Sequence, residues 1–239
     1  MIRRLLALLA IVPALSGQAA EVVFETKPTR THLVELYTSE GCSSCLTAEA
    51  WMTSLKTEPR LWQDFVPVAF HVDYWDHLGW RDPFAAKLWT DRQADYSVLW
   101  KIENVYTPAF ALDGKESRQG ALTAATDEAG VLKVVLDGDR LKATFKPANG
   151  GARRFDIHVA QLGFGMTSDV TAGENNGRKL VHDFVVLGLT NESMKSNTKE
   201  MRLIPPSIKS TGEPRTAVAV WVSEAGKLEP LQAIGGWRP

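Results

Sequence analysis

The chain contains two cysteines, Cys42 and Cys45, separated by Ser43 and Ser44 within the stretch VELYTSEGCSSCLTAEAWM. A Cys-x-x-Cys spacing suits three kinds of chemistry: thiol–disulfide exchange, a metal clip, or a static disulfide. A static bridge over so short a loop removes little entropy from the unfolded chain, and two cysteines in 239 residues do not make a disulfide scaffold. His71, Asp73 and His77 invite a copper or zinc site with the two thiolates. A second Cys-x-x-Cys is missing, however, so a closed zinc site would need two histidines from elsewhere. The leading expectation is therefore a redox pair, with no metal and no cofactor.

The flanking residues say how that pair is held. Leu33, Val34, Leu36 and Tyr37 in THLVELYT predict a buried strand interrupted by Glu35. Ser39-Glu40-Gly41 then reads as a turn. Ala48, Trp51, Met52 and Leu55 fall at i, i+3, i+4 and i+7, the apolar stripe of a helix that Pro59 ends. Cys42 thus sits between strand and helix, and Cys45 in the first helical turn. The unpaired amides and positive dipole end of a helix stabilise a thiolate. Cys42, the outer residue, is expected to be the attacking thiol and Cys45 the buried resolving one.

Val66, Val68, Phe70 and Val72 predict a second strand. Residues 81–100 read as one helix with Asp82 as N-cap and Pro83 in its first turn, carrying Ala85, Leu88, Trp89, Tyr96, Leu99 and Trp100 on one side. Val105, Phe110 and Leu112 mark a strand opened by Pro108, and Asp113-Gly114 a hairpin turn. Residues 116–130 read as a further helix. Beyond Gly130 the pattern changes to short strands, among them VLKVVL and RLKATF around Asp137-Gly138-Asp139, separated by turn-rich loops. That pattern predicts a small β-sandwich.

The order strand, Cys-x-x-Cys, helix, strand, helix, Pro-led hairpin resembles a thioredoxin. VELYTSEGCSSC is similar to its strand-to-motif turn and YTPAF to the segment carrying its cis-proline. The resemblance implies an α/β thioredoxin-like fold with an appended β-sandwich-like region. It also implies a cis Thr107–Pro108 bond, with both residues shaping a substrate groove. Glu35 would be either a buried acid below Cys45, ready to accept its proton, or a strand-edge carboxylate in water. The segment between Cys45 and Pro108 is longer than in a minimal thioredoxin, and Trp75, His77 and Trp80 are its best candidates for lining a cleft. The whole mature chain further resembles a family of exported bacterial proteins of unassigned function. They combine a thioredoxin-like unit bearing GCSSC with a β-rich tail that carries a GEN-x-GR loop and a Val-Val strand, here residues 173–178 and Val185-Val186. Leu46-Thr47 departs from the Pro-Pro usual there. The loop reads as a tight hairpin; were it to fold back toward Cys42, Glu174 and Arg178 would be placed to hold a partner.

The first residues have their own logic. MIRR is basic, LLALLAIVPAL is apolar but too short to span a bilayer comfortably, and SGQAA offers small residues at a cleavage point. Residues 1–19 are expected to be a signal peptide, 20–130 a thioredoxin-like domain and 131–239 a β-rich C-terminal domain. The location is then periplasmic or secreted, with no stable membrane insertion after processing. A net charge of −1 with no basic block gives no footprint for nucleic acid. The expected function is a periplasmic thiol–disulfide oxidoreductase acting on exported proteins or small thiols and disulfides, with an unknown redox partner. The alternatives are a non-catalytic exported binding module, or a copper- or zinc-binding thioredoxin-like protein.

Overall fold

The computed structural model describes residues 21–119, 122–150, 154–206, 208 and 215–238. The expected signal peptide lies outside the described residues. The N-terminal half runs β1 (Val22–Glu25), β2 (His32–Thr38), α1 (Cys45–Ser54), β3 (Phe65–His71), α2 (Lys87–Trp100), β4 (Ala109–Leu112) and β5 (Lys115–Ser117). Then follow β6 (Gly130–Asp137), β7 (Arg140–Pro147), β8 (Phe155–Gly163), β9 (Met166–Asp169) and β10 (Lys179–His182). The chain closes with β11 (Val185–Ser193), β12 (Thr198–Arg202), β13 (Ala217–Glu224) and β14 (Pro230–Trp237).

This is not the α/β thioredoxin-like fold with an appended sandwich that the sequence suggests. The described residues are mostly strand, with two α-helices. One eight-stranded sheet runs β14-β13-β8-β11-β3-β2-β4-β5 and so draws strands from both halves of the chain. Within it β2 and β3 pair in parallel, with Thr38 opposite His71. The join to the C-terminal strands is one short parallel contact, Val185 beside Ala69, where the Ala69 amide donates to the Phe184 carbonyl at 2.9 Å. All seven residues of β3 are buried, as expected of a strand with neighbours on both edges and cover on both faces. A four-stranded sheet, β1-β6-β7-β12, packs on the C-terminal part of the long sheet. Leu132, Val134, Leu141 and Phe145 meet Phe155, Ile157, Val220 and Ile234 there in a second core. A sandwich does exist, but one of its layers is the sheet that also carries the cysteine turn.

Local departures accompany that difference. In the segment expected as a third helix, 116–130, the described residues are not helical: Glu116 and Ser117 belong to β5, residues 122–129 are irregular and Gly130 opens β6. Its end is drawn out along residues 28–30: the Arg30 amide donates to the Asp127 carbonyl and the Ala129 amide to Pro28, each within 3.0 Å. Arg30 also binds the Asp127 carboxylate at 2.7 Å. The helix expected from residue 81 begins at Lys87, with Ala86 at its N-cap in extended backbone. Residues 82–86 instead cross the edge of β3, where Ala85 bridges His71 and the Ala86 amide donates to the His71 carbonyl. Asp82 therefore does not cap α2. Nor is the buried side of α2 the apolar stripe expected: Trp89, Arg92, Gln93 and Tyr96 face inward, while Leu88 and Leu99 are exposed.

Candidate functional site

Side chains alternate across a strand, so β2 presents Glu35 and Tyr37 to one face and Leu36 and Thr38 to the other. The first face belongs to α2. Tyr37 stacks on Phe70 and meets Tyr96 edge-on, and Phe70 meets Trp89. The second face belongs to α1, where the Thr38 hydroxyl donates to Glu49 Oε1 at 2.5 Å.

Cys42 and Cys45 form a disulfide at the start of α1. The turn before it is held by the Cys42 amide donating to the Ser39 carbonyl and the Cys45 amide to that of Cys42. Gly41 sits directly under Trp75: a Cβ there would stand 2.8 Å from the Trp75 Cβ, so only glycine permits this approach. Trp75 in turn donates from Nε1 to Thr107 Oγ1 at 2.8 Å. The Thr107–Pro108 bond is cis. Pro108 lines a cavity of about 560 Å³ with Ser44, Thr47, Tyr106, Phe110 and Arg118. The fold therefore brings Cys42, Cys45, Thr107, Pro108 and Trp75 to one place.

Both cysteines are 0 % exposed, and two segments cover the turn. One is the loop after β3, which contains a short 3₁₀ turn at Asp76–Leu78. It is tied to α2 through the Asp73 amide on Thr90 Oγ1 and the Tyr74 hydroxyl on Gln93. The other is the link from β9 to β10, residues 170–178, with Gly173 and Gly177 at positive φ; it is longer than the tight hairpin expected there. It folds back onto the cysteine turn: Glu174 Oε2 accepts from the Ser43 amide at 2.9 Å, and Asn175 Nδ2 donates to the Glu40 carbonyl at 2.8 Å. The Ser43 amide holds the exposed Glu174 carboxyl below its ordinary range. Arg178 is exposed.

The other anticipated residues fall elsewhere. Glu35 is buried, but on the α2 face, away from the face that α1 covers. Arg92 Nε binds its Oε2 at 2.8 Å, and the Tyr96 and Tyr37 hydroxyls donate to it at 2.5 and 3.0 Å. It is therefore committed to an ion pair and is not set to take a proton from Cys45. His77 is exposed, its Nδ1 bonded to the Tyr74 carbonyl. Trp80 does line the site region, donating from Nε1 to Glu40 Oε2 at 2.7 Å. The cluster of the cysteines with His71, Asp73 and His77 does not form: the sulfurs are bonded to each other, His71 bonds Asp82, and Asp73 accepts from Thr90.

What lies beside the cysteine turn is a buried network of which the sequence pointed only to His71, and there as a partner of the cysteines. His182, the last residue of β10, bridges Glu49 through Nδ1 (2.7 Å) and Glu40 through Nε2 (2.9 Å). His71, the last residue of β3, bonds Asp82 Oδ2 through Nδ1 at 2.8 Å, and that oxygen also accepts from the Glu40 amide. The two imidazole rings meet edge to face with centroids 4.9 Å apart. Burial alone would lower the His182 pKa, but Glu49 and Glu40 outweigh it and push it up to about 10. Burial would raise Glu49, yet His182 holds it below its ordinary value. Asp82 is likewise held low, His71 outweighing burial. Glu49 did leave one signal: it is four residues beyond Cys45, on the same face of α1 as Ala48 and Met52, where a charge needs a partner.

These features define a β-dominated protein in which one mixed sheet presents a Cys-x-x-Cys turn over a buried carboxylate–imidazole network. Residues 33–223 match the family described as "Protein of unknown function (DUF1223)", and the chain belongs to that family. It is similar to a structural-genomics crystal structure from Agrobacterium tumefaciens, at 23% identity and a TM-score of 0.60, covering 89% of this chain and 96% of that one. It is also similar to HBP35 of Porphyromonas gingivalis, at 12% identity and a TM-score of 0.52, covering 89% and 76%. At such identities the likenesses concern the fold alone. No curated protein matches the chain.

Proposed function

We propose that the chain is an exported thiol–disulfide oxidoreductase working through Cys42 and Cys45. The observation that carries this reading is the disulfide seated at the start of α1, beside a cavity of about 560 Å³ to which Pro108 and Ser44 contribute walls. A client thiolate attacks Cys42 Sγ, the bond to Cys45 breaks, and Cys45 departs as a thiolate that takes up a proton. A second client thiolate then attacks the client sulfur of the mixed disulfide, releasing Cys42 as a thiolate and the client as a disulfide. Two electrons have passed to the pair, and a disulfide-type partner in the same compartment takes them back. The helix start favours the Cys42 thiolate. Because neither sulfur is exposed, exchange needs the cover formed by residues 74–80 and 173–178 to move aside. The basic, apolar and small-residue order of residues 1–19 supports export, where an oxidised pair persists.

That same burial favours a second reading, in which the disulfide is a static clamp within a non-catalytic exported module. Trapping separates the two. Incubated natively with glutathione disulfide, a Cys45→Ala variant is expected to form a mixed disulfide through Cys42, read by mass spectrometry, and a Cys42→Ala variant much less. If Cys45→Ala stays unmodified while folded, the clamp reading stands and the exchange reading falls.

A further inference from the structure

We propose that Glu49, His71 and His182 form a binding site for one divalent transition-metal ion of the zinc class. One ligand atom of each lies within 4.8 Å of those of the other two. They come from three elements, α1, β3 and the end of β10, the last belonging to a separate two-stranded sheet of β9 and β10. Two imidazoles and one carboxylate are a donor set that binds zinc and related divalent ions.

The surrounding bonds fit this assignment closely. In metal centres, each ligand's other polar atom is held by a partner that fixes its orientation. Here Asp82 holds His71 at Nδ1, Glu40 holds His182 at Nε2, and Thr38 holds Glu49 at Oε1. The three remaining atoms, His71 Nε2, His182 Nδ1 and Glu49 Oε2, are then the ligands. His71 is 1 % exposed, and its Nε2 has no hydrogen-bond partner among the described residues. An unpaired buried imidazole nitrogen is costly unless something occupies it. Charge points the same way: three buried carboxyl groups, Glu40, Glu49 and Asp82, share two imidazoles, and a dication offsets that excess. The Glu49–His182 contact of 2.7 Å has to open slightly to admit an ion. The donor set contains no sulfur, so the site is independent of thiol exchange and its fate does not decide that reading. Access requires the covering segments at 74–80 and 173–178 to open, because the ligands themselves are buried.

Cobalt(II) is the probe that reports both binding and ligand type. Purified oxidised protein, stripped with chelator, is titrated with Co²⁺ and then back-titrated with Zn²⁺. One equivalent is expected to bind, with ligand-field bands of low-symmetry coordination, without sulfur-to-cobalt charge transfer, and reversed by zinc. A Cys42→Ser/Cys45→Ser protein is expected to bind equally. His71→Gln, which keeps volume and can still reach Asp82, is expected to lose the signal, and Asp82→Asn to weaken binding by about 10- to 100-fold. Melting curves in chelator show that each variant is folded. No uptake by the wild-type protein overturns the proposal without recourse to any variant. Equal uptake by folded His71→Gln or Glu49→Gln overturns it too, by moving the ion elsewhere.

Discussion

Glu35 and Glu49 show how one side-chain position decides a role. Both are buried acids near the cysteine turn in sequence, and the chain itself points first to Glu35 because it interrupts a buried strand. The period-two alternation of β2 sends Glu35 toward α2, where Arg92 and two tyrosines saturate it, while Thr38 faces α1 and meets Glu49. Glu35 is thus a structural charge. Replacing Arg92 by Met leaves that carboxylate buried and unpaired, and is expected to destabilise the protein by about 3–5 kcal/mol in urea unfolding. The native rate of Cys42–Cys45 reduction by dithiothreitol should stay near wild type in conditions where the variant is folded. A large change in that rate would mean that Glu35 serves the cysteines after all. The cysteine pair and its placement were legible from residue types and spacing. The His71–His182 network was not, because it joins residues more than a hundred positions apart and no local pattern links a strand-end histidine to a distant helix carboxylate.

Among the elements, the covering loop is the least predictable from sequence and the most consequential. Gly173, Asn175, Asn176 and Gly177 announce a tight hairpin; the chain does turn there, with Gly173 and Gly177 at positive φ, but over a longer link. Turn chemistry says nothing about which way the loop leans, and it leans onto the cysteines. Glu174 occupies the Ser43 amide at the start of α1, the place where a Cys42 thiolate gains its stabilisation. Two anions there repel, so reduction and loop release favour each other. Glu174→Ala is accordingly expected to speed native reduction by dithiothreitol several-fold, with little change in melting temperature, since the lost bond is exposed. An unchanged rate would mean that this contact does not guard the pair. The starts of α1 and α2 tell a related story. The apolar stripe correctly located α1, but Asp82, a good cap by type, was claimed by His71 and the Glu40 amide, and α2 began later. Propensity yielded to a tertiary partner.

Across the whole molecule, most strands beyond Gly130 were readable from their alternation, Met166–Asp169 and Thr198–Arg202 excepted, but their membership of a sheet was not. Alternation identifies a strand and its buried face; it does not say whether that face closes a separate sandwich or extends a sheet begun by other residues. Here Val185 pairs beside Ala69 and fuses the two. Two of the buried histidines move stability with pH in opposite directions. His158, stacked on Trp221 and bonded to Asn191 and Ser223, has its pKa lowered from 6.5 to about 4, chiefly by burial. The unfolded chain binds that proton more readily, so stability falls as pH drops from 6.5 toward 4, by about 3 kcal/mol at the lower end. His182 has the opposite sign. Raised to about 10 against 6.5 unfolded, it contributes fully below pH 6.5 and its contribution is lost as pH rises through about 10. Urea unfolding of the metal-free protein is expected to give greatest stability near pH 6.5, and a monotonic trend from pH 4 to 10 would contradict this pairing of shifts.

The central claim, that Cys42 and Cys45 exchange electrons with outside thiols while the protein stays folded, is tested most directly by an equilibrium titration. Native protein is poised in mixtures of oxidised and reduced dithiothreitol or glutathione, quenched, alkylated and weighed, with circular dichroism recorded at each point. A reversible two-electron transition with native spectra throughout is the predicted result. A pair that stays oxidised in every buffer, and becomes reducible only once denaturant has unfolded the chain, would contradict it.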